Sequence, residues 1–131
     1  MVDLVTVQYI NGGDKMKDNI IMINKAIADN EVSTLHIIAA TKQRATNYYN
    51  KIIKHITKTD VIVWGSRKTN DMNTHNDIII LCDEWFKNKN AQSDDFKDKI
   101  ADSAAVLITN TKNLTIELDI ISNLIEESKE S

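Results

Sequence analysis

Residues 32–66 constrain the fold of this chain more than any other stretch. Two short apolar runs, 35–40 (Leu-His-Ile-Ile-Ala-Ala) and 61–64 (Val-Ile-Val-Trp), are β-branched and nearly uninterrupted. That is the pattern of strands buried on both faces of a parallel sheet. Between them, residues 43–58 set Ala45, Tyr49, Ile52, Ile53 and Ile56 on one face at helical spacing. Parallel neighbours need a crossover, usually a helix, so strand, helix, strand is the expected unit. Thr41, Lys42, Gln43 and Arg44 then fall in the loop and first turn beyond a strand's carboxyl end, the edge at which open α/β sheets bind ligands.

The remaining segments continue the alternation. Residues 2–10 read as a first strand closed by the turn Asn11-Gly12-Gly13, and residues 16–29 as a helix presenting Ile20, Ile23, Ile27 and Ala28, with Asn30 and Glu31 ending it. Residues 67–76 are too rich in Asn, Asp and Thr to form an element. Residues 77–82 (Asp-Ile-Ile-Ile-Leu-Cys) are the clearest strand, a further helix starts near Asp83 or Ser93, and residues 103–109 are a fifth strand. From about Asn113 a last helix carries Leu114, Leu118, Ile121 and Ile125 on one side, although Leu114, Ile116, Leu118 and Ile120 also alternate as in a strand; a frayed tail is expected over 126–131. The whole predicts one α/β domain over residues 1–131, a three-layer α/β sandwich with a mainly parallel sheet of about five strands.

Charge narrows the partners. The formal net charge of -3 suits neither a polyanion mimic nor a wholesale nucleic-acid binder. Its distribution is uneven: residues 42–68 hold Lys42, Arg44, Lys51, Lys54, Lys58, Arg67 and Lys68 against Asp60 alone, a local +6 that leaves -9 elsewhere. A basic block on an acidic background can contact phosphate, with Arg44, Lys51, Lys54 and Lys58 on the solvent side of the second helix. The same residues also read as a solvated face, since only Tyr48 and Trp64 offer aromatic rings for base stacking. The single cysteine, Cys82, sits in an apolar run and excludes an internal disulfide; the expected setting is the cytoplasm, with no signal peptide and no membrane-spanning stretch.

Two further features bear on chemistry. In the turn 11–18, Lys17 stands where a phosphate-binding loop carries its lysine, while Asn11 and Met16 occupy the glycine positions and Asp18 that of the metal-binding hydroxyl. The strand 77–82 delivers Asp83 and Glu84 at its carboxyl end, as P-loop enzymes deliver the acids beside magnesium and the attacking water. Each feature also has an ordinary structural reading: a turn before a helix, and acids opening one. His36, His55, His75 and Cys82 show no metal-ligand spacing, His36 reads as a core histidine, and no nucleophile-elbow signature occurs. The pair Trp85-Phe86 reads as a core anchor, or as an interaction hot spot if exposed.

Taken in order, the first turn, the segment 35–45 (Leu-His-Ile-Ile-Ala-Ala-Thr-Lys-Gln-Arg-Ala), the acids after 78–82 and Leu107-Ile108-Thr109 resemble the nucleotide-binding core of helicases and related P-loop ATPases. The resemblance implies that Thr41 with Arg44 or Lys42 corresponds to that family's nucleic-acid-contacting Ala-Pro-Thr-Arg element, and Asp83-Glu84 to its Walker B pair. The departures in the phosphate loop imply a degenerate member without efficient hydrolysis. The expected activity is binding of nucleic acid through Thr41, Lys42, Arg44, Lys51, Arg67 and Lys68, or of nucleotide through Lys17, Asp83 and Glu84, with no cofactor or resident metal. The alternative is a non-catalytic interaction module, an inhibitor or assembly factor, that docks on another protein or on its own copy.

Overall fold

A computed structural model describes residues 6–10, 16–31, 34–56, 59–65, 73–109 and 114–130. Its elements alternate as β1 (Thr6–Ile10), α1 (Met16–Asn30), β2 (Thr34–Ile38), α2 (Lys42–Ile52), β3 (Asp60–Val63), β4 (Ile78–Leu81), α3 (Phe96–Asp102), β5 (Ala105–Thr109) and α4 (Leu114–Glu130). Single 3₁₀ turns follow α2 at Ile53–His55 and β4 at Trp85–Lys87. The sheet runs in the order β1-β5-β4-β2-β3, with every pairing parallel.

Strand periodicity divides the apolar residues between the two faces. Leu35, Ile37, Ile78, Ile80, Ala105 and Leu107 point to one side, where Ile23 and Ala26 of α1 and Ala45, Tyr48 and Ile52 of α2 cover them. Ile38, Ile79, Leu81, Val106 and Ile108 point to the other, against Trp64, Trp85, Phe96 and Ile100 of α3 and Ile121 of α4. Burial on both faces is why these strands read as continuous apolar runs and not as alternations.

Several expectations need correcting. The second helix stops at Ile52, and its last turn tightens into the 3₁₀ turn. Tyr48 is buried where Tyr49 is half-buried, and Trp64 is fully buried, so neither Tyr48 nor Trp64 can stack on a base. On α1 the core position belongs to Ala26, while Ala28 is exposed. Of the two starts expected for the next helix, the one near Ser93 holds, with α3 beginning at Phe96, while only a 3₁₀ turn follows Asp83. The C-terminal segment is a helix through Glu130, so the strand alternative for 114–120 is set aside, and the tail expected to fray is helical over 126–130. The turn 11–15, with its glycines, and Lys58, Arg67 and Lys68 lie outside the described residues.

The crossovers locate a ligand edge. α1 and α2, which carry the chain toward β3, share one face, and α3, which carries it back toward β1, lies on the other. A single crossover hand requires that arrangement. β2 and β4 are therefore neighbours whose connections leave in opposite directions, and a crevice opens beyond their carboxyl ends at such a switch point.

Candidate phosphate-binding cleft

The loop after β2 opens the crevice. Thr41 has extended backbone (φ -133°, ψ 158°), and its Oγ1 accepts from the Arg44 N–H at 3.2 Å, capping α2. That fixes the helix start so that Arg44, Asn47 and Lys51, spaced three and four apart, share one face. Together with Ala39, Tyr48, Cys82 and Asp83 they line a cleft of about 250 Å³. The first turn of α2 holds no acid, so its amide dipole adds to the positive side of the cleft.

The loop after β4 supplies the opposite wall. The Cys82 N–H donates to the Ile38 carbonyl at 2.8 Å, which extends the β2–β4 ladder and brings Asp83 beside Ala39. Glu84 takes a left-handed backbone (φ 58°), and its Oε1 lies 3.4 Å from Arg44 Nη1 while Oε2 pairs with Lys87. The hydrogen bond and charge of Lys87, followed by those of Arg44, hold the Glu84 carboxyl below its ordinary range. Farther along this loop, Asn88 Nδ2 donates to the carbonyls of Ala39 at 2.9 Å and Gly65 at 3.0 Å. Asn90 Nδ2 donates to the same Gly65 carbonyl at 3.0 Å. Both asparagines are buried, so amides from beyond β4 satisfy strand-end carbonyls that would otherwise be orphaned.

Beneath the cleft lies a layer of buried polar groups. Burial first, then Asp83 and Glu117, pushes the Cys82 thiol far up, and burial does the same to the Tyr48 phenol. Cys82 is accordingly an inert thiol. Glu117 of α4 is 1% exposed, and among the described residues neither carboxyl oxygen has a hydrogen-bond partner. Burial, followed by the negative charge of Asp83, raises its carboxyl to about 7; the nearby Trp85 indole pulls the other way without reaching hydrogen-bond geometry.

The residues singled out in the sequence are thus distributed unevenly. Arg44, Lys51 and Asp83 line one cleft, with Glu84 on Arg44. Lys42 is exposed at the start of α2 and Thr41 serves as its cap; neither lines the cleft. Lys17 lies on α1 and lines a separate groove of about 450 Å³ with Ile20, Ile21, Lys51 and His55. Sequence reasoning missed Asn47, the Asn88–Asn90 clamp and Glu117. Only the last left a signal, an acid spaced three and four residues from Leu114 and Ile121 on the apolar side of a helix. Among the described residues no group of three or more His, Cys, Asp or Glu side chains could hold a metal ion, and no helix is long and apolar enough to cross a membrane.

The core histidine expectation acquires a geometry. His36 is fully buried; Trp64 Nε1 donates to its Nδ1 at 3.1 Å, and its Nε2 lies 2.8 Å from Asp77 Oδ2. An acceptor role for Nδ1 places the proton on Nε2, facing the carboxylate. The ring joins three segments of the sheet and is committed to structure.

The chain matches no family model, no curated protein and no solved structure.

Proposed function

We propose that the chain is a small accessory domain, a three-layer α/β sandwich with a parallel sheet of five strands and a degenerate P-loop-like character. In this reading it acts in the cytoplasm and binds the phosphate of a nucleic-acid strand or nucleotide at the carboxyl edge of its sheet, without efficient hydrolysis. The observation that carries the reading is the lining of the switch-point cleft by both Arg44 and Lys51. Both side chains lie on one helix face, two turns apart, so the two cations suit successive phosphates of a strand. Asn47 and Asp83 are available to sugar hydroxyls, as a neutral amide and an acceptor. The placement of Lys17 in another groove, away from Asp83, favours binding over phosphoryl transfer.

Fluorescence anisotropy of a labelled single-stranded oligonucleotide at low ionic strength tests the reading. Two neutralised phosphates give a slope of about -1.4 in log K against log salt, and Arg44→Ala or Lys51→Ala each weakens binding about tenfold and flattens that slope. Absent binding, or affinity indifferent to both substitutions, overturns it.

The second reading, a protein-interaction module, is favoured by the α1–α2 groove. Ile21 is 55% exposed there beside Ile20, with Lys17, Lys51 and His55 around the groove. Docking at that groove predicts that the uncharged Ile21→Ser abolishes partner capture and leaves oligonucleotide affinity unchanged, since it adds no charge beside Lys51.

A further inference from the structure

We propose that Glu84 sets which phosphate the cleft accepts, by partly neutralising Arg44 so that a singly charged phosphodiester is taken and a polyphosphate is refused. This deepens the phosphate-binding reading and rests on it.

The geometry is specific to the loop after β4. Glu84 is a non-glycine residue at φ 58°, a conformation that persists only where its surroundings enforce it. Those surroundings are visible: Trp85 is fully buried immediately after it, and the Lys87 and Asn88 N–H groups close the 3₁₀ turn onto the Glu84 and Trp85 carbonyls at 3.0 Å each. The backbone thus presents the Glu84 carboxylate between two cations, Oε1 toward Arg44 and Oε2 on Lys87. Arg44 is 54% and Glu84 34% exposed, so the pair is open to water and breaks at small cost when a stronger anion arrives.

The carboxylates of Asp83 and Glu84 then oppose a ligand that brings several charges close to them. Among the described residues, Arg44, Lys51 and Lys87 stand against Asp83 and Glu84, a net charge of +1. A polyphosphate carries several charges and, in a cleft of about 250 Å³, also meets the carboxylates of Asp83 and Glu84. Removing the Glu84 charge raises the balance to +2, frees Arg44 for bidentate contact, and lifts the repulsion felt most by the most highly charged ligand.

The experiment measures two affinities at fixed low ionic strength: that of a labelled single-stranded oligonucleotide by anisotropy, and that of inorganic tripolyphosphate by its competition. Wild type is compared with Glu84→Gln, which keeps the shape of the side chain, and with Glu84→Gly, which adopts the left-handed backbone without strain and guards against misfolding of the first variant. The expected result is tripolyphosphate affinity about tenfold higher in both variants and oligonucleotide affinity only two- to threefold higher, so that selectivity for the strand falls. Unchanged selectivity in both variants, with the oligonucleotide still bound, overturns the role of Glu84 while leaving the phosphate-binding reading intact. Failure of wild type to bind the oligonucleotide overturns that reading, and this inference with it.

Discussion

A carboxyl group shut inside a protein without a hydrogen bond resists ionisation, and Glu117 is such a group. Its carboxyl titrates near 7 in the folded chain, against an ordinary 4.5. Because the folded pKa is raised, the folded state holds more protons than the unfolded one between those two values. Stability is therefore fully present below about pH 4.5 and is lost as pH rises through about 7, the reverse of an ion-paired acid. Glu117→Gln removes the titration, and should stabilise the protein by on the order of 2 kcal/mol at pH 8 while changing little at pH 5. Urea denaturation at the two pH values checks this; equal effects at both would show that the Glu117 carboxyl is not the group responsible. Neighbouring Asp83 and Glu84 add negative charge on the same side, so ligand phosphate near the cleft should raise the Glu117 pKa further.

At the scale of elements, the strands were legible because burial on both faces leaves an unmistakable composition: Ile78, Ile79, Ile80 and Leu81 are all fully buried. Helix ends were not. α2 closes at Ile52 without a glycine or proline, and the carbonyl of His55 just beyond is satisfied from outside, by Asn24 Nδ2 of α1 at 3.0 Å. Such a long-range partner has no local signature. The cleft was half legible in the same way: the charges of Arg44, Lys51, Asp83 and Glu84 are visible in one dimension, but their convergence depends on β2 and β4 being neighbours. Asn88 shows what pattern reading misses, since it resembles a loop residue and yet is 1% exposed, holding Ala39 and Gly65. Asn88→Ala leaves the Ala39 carbonyl without its side-chain donor, while Asn90 still serves Gly65, and should cost about 1–2 kcal/mol. A lowered urea midpoint with an unchanged slope would confirm it, and an unshifted midpoint would show that water replaces the amide.

Strand order also sets how stability is distributed through the molecule. β4 pairs with β2 on one side and β5 on the other, and both of its faces are covered. β3 pairs with β2 alone among the described residues; Asp60 and Ile62 are exposed, and Val61 and Val63 only half-buried. An edge strand with so little buried apolar surface opens without global unfolding, whereas β4 opens only when the whole sheet does. Amide hydrogen exchange at low protein concentration should therefore show β4 protected to the global limit and β3 at least about tenfold less, a gap of about 1.4 kcal/mol or more. The cleft lies on the stable side of that gradient. Its walls start from β2 and β4, so Cys82, whose N–H is held by the Ile38 carbonyl, should stay protected even while β3 exchanges, which keeps the cleft in place for a ligand. Protection of β3 equal to that of β4 would contradict the gradient and require a cover over the β3 edge.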